Sequence, residues 1–193
     1  MRSLFYLLLP ILYMYSNKNK KIKNNYVSFT HALSCSVVSG TSIYFNYPIH
    51  LQNILLRIST TYFTWDTFLM IFNKEYNNIP FIYHHIVCFY MLYKLNHNEE
   101  TELITNVFFI GELSNLFNYI VYHMIQTKQP KHLITKIKMI QLLWFGYFRV
   151  FYMSRMLYNH YSKIKDNILA FNLVSVYMMG FVWGYNQFKS IMK

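Results

Sequence analysis

The stretch Leu103–Ile125, LITNVFFIGELSNLFNYIVYHMI, decides the fold. A helix crossing a bilayer takes about 17 to 25 residues, and this run is long enough while carrying a single acid, Glu112. Glu112, Asn115 and Asn118 fall at i, i+3 and i+6, so they form one polar stripe on an otherwise apolar helix. A strand reading fails, because the run shows no period-two alternation and an open sheet in lipid leaves its edge groups unpaired.

Working outward, similar runs lie at Ser3–Tyr15, Val27–Tyr47, Gln52–Phe72, Ile79–Tyr93, Leu133–Tyr158 and Ile168–Phe188. The fold class is therefore all-α, a multi-pass transmembrane helical bundle. The first run is short and is read as an uncleaved apolar segment, since no small-residue cleavage pattern follows it. Pro48 and Pro80 sit where helices stop and begin, positions at which a missing backbone donor costs least. Residues 1–24 are read as this N-terminal apolar segment with a basic loop, and 25–193 as the transmembrane domain.

Composition agrees. Apolar residues make up 54% of the chain and charged ones 13%, about half the charged share of soluble domains. The net charge of +11 does not imply nucleic acid, because the lysines come in short clusters between apolar runs and not along one helix face. Lys18, Lys20, Lys21 and Lys23 follow the first run, Lys74 the third, Lys128, Lys131, Lys136 and Lys138 the fifth, and Lys189 and Lys193 the seventh. The opposite loops hold Arg2, Lys94, Lys163 and Lys165 with the acids Glu99, Glu100 and Glu102. Cytoplasmic loops keep the excess of Lys and Arg, so the C-terminus is expected in the cytosol.

Ionisable groups at membrane depth cost about 2.5–3.5 kcal/mol on insertion scales and face protein or a wet cavity. Ser59, Tyr62 and Asp66 share one face of their run, which points Asp66 inward, with Arg149 or Arg155 as expected partners. His84 and His85 are about 100° apart on a helix, so one can face a cavity while the other meets a neighbouring helix. His31 sits among Ser28, Ser34, Ser36, Ser39, Gly40, Thr41 and Ser42, a small-residue surface suited to close helix packing. No HExxH, P-loop, GxSxG or Rossmann fingerprint is present, the two cysteines lie in apolar runs, and neither a metal nor a resident cofactor is expected.

In order, His31-Ala32-Leu33-Ser34, the segment Ser59-Thr60-Thr61-Tyr62-Phe63-Thr64-Trp65-Asp66, the pair His84-His85, and Glu112-Leu113-Ser114-Asn115 resemble the TLC domain family. Thr61 stands where that family usually has glycine, and Phe148 to Arg155 is similar to its arginine-bearing later helix. The resemblance covers roughly Val27 to Phe188 and implies a six-helix core, here preceded by one N-terminal apolar helix. It also implies residence in the endoplasmic reticulum or a related endomembrane.

The family includes ceramide synthases, N-acyltransferases that join a long-chain base to acyl-coenzyme A. In those, several aspartates follow the paired histidines in the next helix, whereas this chain has Glu112 and asparagines. The Glu-Leu-Ser segment looks more like the smaller TLC-domain-containing proteins. That resemblance implies sphingolipid or phospholipid homeostasis, with membrane lipids as partners, and His31, Tyr62, Asn115, Asn118 and Arg149 around a bound head group. Under the synthase mechanism His84 or His85 would activate the amine or accept the acyl group, Asp66 or Glu112 would orient the imidazole, and acyl-coenzyme A would be a substrate. A third reading is a non-catalytic trafficking or structural protein whose polar residues hold the helices together.

Overall fold

The computed structural model describes residues 20–72 and 78–192. The apolar run Ser3–Tyr15, with Arg2, Lys18, Lys74 and Lys193, lies outside the described residues. Among those described, the chain forms α1 (Lys20–Tyr44), α2 (Ile49–Phe72), α3 (Ile79–Asn96), α4 (Thr101–Gln126), α5 (Lys131–Phe145) and α6 (Met153–His160), then α7 (Asn167–Ile191), with no strand. A π-helical stretch, Gly146–Tyr152, joins α5 to α6 without a break, so these three make one rod. Six helical rods result, corresponding to the six expected runs from Val27 to Phe188.

The boundaries follow local chemistry. Pro48 precedes α2, and Pro80 stands in the first turn of α3. Short connections make successive rods antiparallel. In the α1–α2 turn Asn46 and Tyr47 both take left-handed backbone angles, φ 59° and 61°. A tyrosine rarely does so, and here its ring is anchored by Asn106, whose Nδ2 donates to the Tyr47 hydroxyl at 3.1 Å.

Followed by contact, the rods form a closed ring: α1 beside α2, then α3, α7, the α5–α6 rod and α4, which returns to α1. The α1–α4 pairing is the most extensive. Small residues allow it. Ser36 and Ser39 turn their hydroxyls back onto their own helix, donating to Ala32 O at 2.7 Å and Cys35 O at 2.5 Å, which leaves a smooth surface for a close neighbour. A Cβ on Gly40 would stand 3.0 Å from the Phe109 ring.

Beside an apolar core, several charged side chains are buried while many large apolar ones face outward. Arg149 is 2% exposed, Asp66 5% and Glu112 7%, whereas Leu143 is 75% exposed and Phe171 68%. Exposed Val37, Phe68, Ile86, Phe151, Met178 and Val182 extend this apolar exterior around the ring. Among the described residues one helix, Asn167–Ile191, is by itself both long and apolar enough to cross a membrane. In the other rods polar residues lower the average, some buried, such as Asp66 and Glu112, and some exposed, such as Asn53, Arg57, Lys131 and Lys136.

The two ends of the ring differ. Lys21, Lys23, Lys128, Lys131 and Lys189 gather at one end. At the other, Lys94 Nζ lies 2.7 Å from both Glu99 Oε2 and Asp166 Oδ2, and the Tyr90 hydroxyl donates to Asp166 Oδ2 at 2.5 Å. Asp166 also caps α7, its Oδ1 accepting from the backbone N–H groups of Ile168 and Leu169 at 2.9 and 3.0 Å. The Lys94 ammonium, then Tyr90 and the Leu169 N–H, hold the Asp166 carboxyl below the usual carboxylate range. A carboxyl whose folded-state pKa is depressed in this way stabilises the fold above the ordinary carboxylate range, and that contribution is lost as pH falls from there through the depressed folded-state value. Asp166→Ala is expected to cost about 1 kcal/mol through the lost cap alone. The detergent-unfolding midpoint should fall at pH 7, and the gap to wild type should close in strong acid.

Candidate functional site

A cavity of about 570 Å³ enters the ring at its lysine-rich end. Exposed Lys21, Asn78, Phe81, Tyr122 and Asn186 stand at its mouth, and buried Tyr62, Phe63, Asp66, His85 and Glu112 lie deep within it. From Tyr122 to Glu112 along α4 is about 15 Å of helical rise, so the cavity reaches well into the bundle.

Each wall is one helix face. The α4 stripe supplies Glu112, Asn115, Asn118, Tyr119 and Tyr122, as its i, i+3 spacing leads one to expect. From α2 come Tyr62, Phe63 and Asp66, and from α3 Phe81, His84 and His85. The other contributors are Asn24, Asn25 and Ser28 of α1 and Trp183, Asn186 and Gln187 of α7.

The adjacent histidines diverge as their angular offset requires. His85 is tied to α2 on both sides: Nδ1 pairs with Thr67 Oγ1 at 2.9 Å, and Nε2 lies 3.5 Å from Asp66 Oδ2. His84 turns toward α7, its ring meeting Trp183 edge-on at 5.8 Å. Its Nε2 lies 3.6 Å from Cys88 Sγ, and its Nδ1 is buried without a hydrogen-bond partner. His84 therefore keeps the freer imidazole nitrogen, while His85 is held in place.

Asp66 points inward, but not to an arginine. Its carboxylate meets His85 and, at 3.4 Å, the Tyr62 hydroxyl, which also lies 3.0 Å from Ser28 Oγ. Arg155 is exposed on the outside, and Arg149 lies elsewhere in the ring. The reason is topological: α2 and the α5–α6 rod are not neighbours in the ring.

The expected lipid-contacting residues divide. Tyr62, Asn115 and Asn118 border the cavity, while His31 and Arg149 lie behind its walls. His31 is stacked on Tyr62 at 3.9 Å, with Nδ1 3.7 Å from Glu112 Oε2. Asn118 is largely committed to packing: Oδ1 accepts from Gln141 Nε2 at 2.7 Å and Gln187 Nε2 at 3.1 Å, and Nδ2 donates to Asn115 Oδ1. It thereby ties α4, α5 and α7 together beside the cavity.

In comparison with known protein families, the TLC domain matches residues 21–189. The chain belongs to the TLC domain family. TLC domains are membrane-associated and generally concerned with membrane lipids, and α7 supplies an apolar helix of membrane-crossing length. No curated protein and no solved structure matches the chain.

Within this TLC domain the chemistry on hand is two histidine–carboxylate pairs, His31–Glu112 and His85–Asp66, with His84 beside them. Among the described residues no three His, Cys, Asp or Glu side chains converge as metal ligands. The sequence reading missed Asn24, Asn25, Thr67, Trp183 and Gln187 as parts of the site. Asn24 looked like basic loop because of its lysine neighbours, yet α1 begins at Lys20. Trp183 had a weak signal, a large N–H-bearing ring toward the C-terminal end of the last apolar run.

Proposed function

We propose that this TLC protein is a multi-pass membrane protein in which all six rods cross the bilayer, and that it serves membrane lipid homeostasis by taking a sphingolipid or phospholipid head group into its cavity. One observation carries the reading: a deep polar cavity inside a ring whose outer surface is apolar. The volume lies within the range of about 300–1,000 Å³ common for ligand sites. The shortest continuous rod, α3, has 18 residues, enough for a span. By the positive-inside rule the lysine-rich end is cytosolic, so the cavity opens to the cytosol, the C-terminus lies there, and an endomembrane such as the endoplasmic reticulum is the expected location.

A second reading, N-acyl transfer, is favoured by the unpartnered Nδ1 of His84 beside a histidine pinned between Asp66 and Thr67. In that reaction the amine of a long-chain base attacks the thioester carbon of acyl-coenzyme A. A C–N bond forms and the C–S bond breaks, while His84 takes the proton from nitrogen and passes it to the departing thiolate, which leaves as the thiol. Asp66 acts through His85, and Glu112 lies at the cavity floor.

The test is expression of wild type and the His84→Ala/His85→Ala double variant in cells lacking ceramide synthases, followed by mass spectrometry of ceramides and phospholipids. The homeostasis reading expects unchanged ceramide and a phospholipid or sphingolipid profile that shifts with wild type and reverts in the double variant. Ceramide restored by wild type alone establishes acyl transfer instead. No change from either protein sinks both and leaves a structural or trafficking role.

A further inference from the structure

Arg149 is among the most deeply buried large side chains in the protein, 2% exposed, and its electrostatic partner, Glu112, stands beyond ion-pair distance. Among the described residues no carboxylate forms an ion pair with it, and its Nε has no hydrogen-bond partner. An arginine at membrane depth costs several kcal/mol, and an apolar side chain of similar volume fills such a space more cheaply. Packing alone therefore does not account for it.

The surroundings are shaped to admit it. Arg149 sits in the π-helical stretch Gly146–Tyr152, and such local widening of a helix is frequent at functional sites. Its side chain runs past two glycines: a Cβ on Gly180 would stand 2.8 Å from Arg149 Cγ, and one on Gly111 3.4 Å from Nη1. The guanidinium thus ends beside Gly111, next in sequence to Glu112 of the cavity floor. Phe145 and Trp183 flank it, each ring centre 5.9 Å from Cζ. Trp183 also lines the cavity and touches His84 and Phe81 from that side. The Trp183 ring thus lies against both the buried cation and the cavity.

Resting on the lipid-cavity reading, we propose that Arg149 is an anion-holding residue: when the Trp183 ring turns aside, the guanidinium takes the phosphate of a phosphate-ester ligand that enters the cavity. A guanidinium matches a phosphate with two parallel N–H···O bonds, and Trp183 shields the charge when no ligand is present. Glu112 opposes an anion there, but its carboxylate is placed against His31 at 3.7 Å.

The experiment uses full-length protein in nanodiscs of phosphatidylcholine, with native mass spectrometry of bound dioleoyl phosphatidic acid against dioleoylglycerol, which has the same chains and no phosphate. Wild type is expected to prefer phosphatidic acid, and Arg149→Met to lose that preference by about tenfold or more, the worth of one charge-assisted contact. Arg149→Met/Glu112→Gln separates this role from that of a counter-charge for Glu112. If the double variant regains wild-type binding, the anion-site proposal is overturned; persistent loss supports it.

Should Arg149→Met not fold, Arg149→Lys keeps the charge but not the fork and is expected to weaken phosphatidic acid alone. Equal weakening of both lipids, or of neither, overturns the proposal. Coenzyme A added in solution identifies the source of the phosphate: competition by coenzyme A that depends on Arg149 supports a soluble ester, and indifference to it with lipid preference intact supports a lipid. Binding of both lipids equally by wild type overturns the inference while leaving the cavity reading in place. Retention of no lipid at all overturns both.

Discussion

Gly180→Val is expected to be among the most destabilising single substitutions in this protein. Even the first added carbon, as in Gly180→Ala, would stand 2.8 Å from Arg149 Cγ and 3.5 Å from Cδ. Cγ lies close to the backbone and cannot swing away as a side-chain tip can, and the buried guanidinium beyond it is confined by Gly111, Phe145 and Trp183. Overpacking of this kind costs about 1–3 kcal/mol, and valine adds two methyl groups to the same slot. Gly146 provides the internal control, because a Cβ there meets nothing within 4 Å. Gly146→Ala should be neutral or slightly stabilising through its helix preference. Thermal unfolding in detergent checks the pair: Gly180→Val well below wild type and Gly146→Ala at or above it. Equal midpoints for all three would mean that Arg149 does not occupy the glycine slot.

Asp66→Leu is expected to damage both stability and lipid binding. It removes the acceptor beside His85 Nε2 and Tyr62, and a buried donor left unsatisfied costs about 1–3 kcal/mol. Tyr62 retains Ser28 at 3.0 Å, so the loss falls on Asn24, whose side chain bonds the carboxylate, and on His85, which keeps Thr67. Asp66→Asn keeps an acceptor oxygen of nearly the same shape and should fall between wild type and the leucine variant. The measurements are the unfolding midpoint and the amount of co-purified lipid. A leucine variant as stable as wild type, with its lipid retained, would show that the Asp66–His85 contact supports neither fold nor site.

Much of the helical layout is legible along the chain because long apolar runs without period-two alternation allow few solutions other than helices. Prolines mark some of their ends, and lysine clusters follow alternate runs. The i, i+3, i+6 spacing of Glu112, Asn115 and Asn118 placed all three on the cavity wall, and the stacking of Tyr62 and Asp66 on one helix face sent both inward. Adjacent His84 and His85 had to diverge by about 100°. These are consequences of helical period within one segment, and helical period is a local property.

Relations between segments were not legible in the same way. An arginine partner was expected for Asp66 because both charges are buried, but the order of rods around the ring keeps α2 away from the α5–α6 rod, and a histidine from the adjacent α3 takes that place. His31 has the sequence setting of a site residue and is nonetheless covered by the Tyr62 ring. Asn118 reads as ligand-binding and spends its amide tying α4 to α5 and α7. The sequence by itself determined an all-helical chain, the faces its helices present, and the separation of basic from acidic ends, since each follows from period and hydropathy over neighbouring residues. The tertiary structure alone decided which faces meet, that Trp183 lies against both Arg149 and the cavity, and that two distant glycines clear the path for one arginine. Those outcomes depend on helix order and on close approach between residues far apart in the chain, which no local pattern encodes.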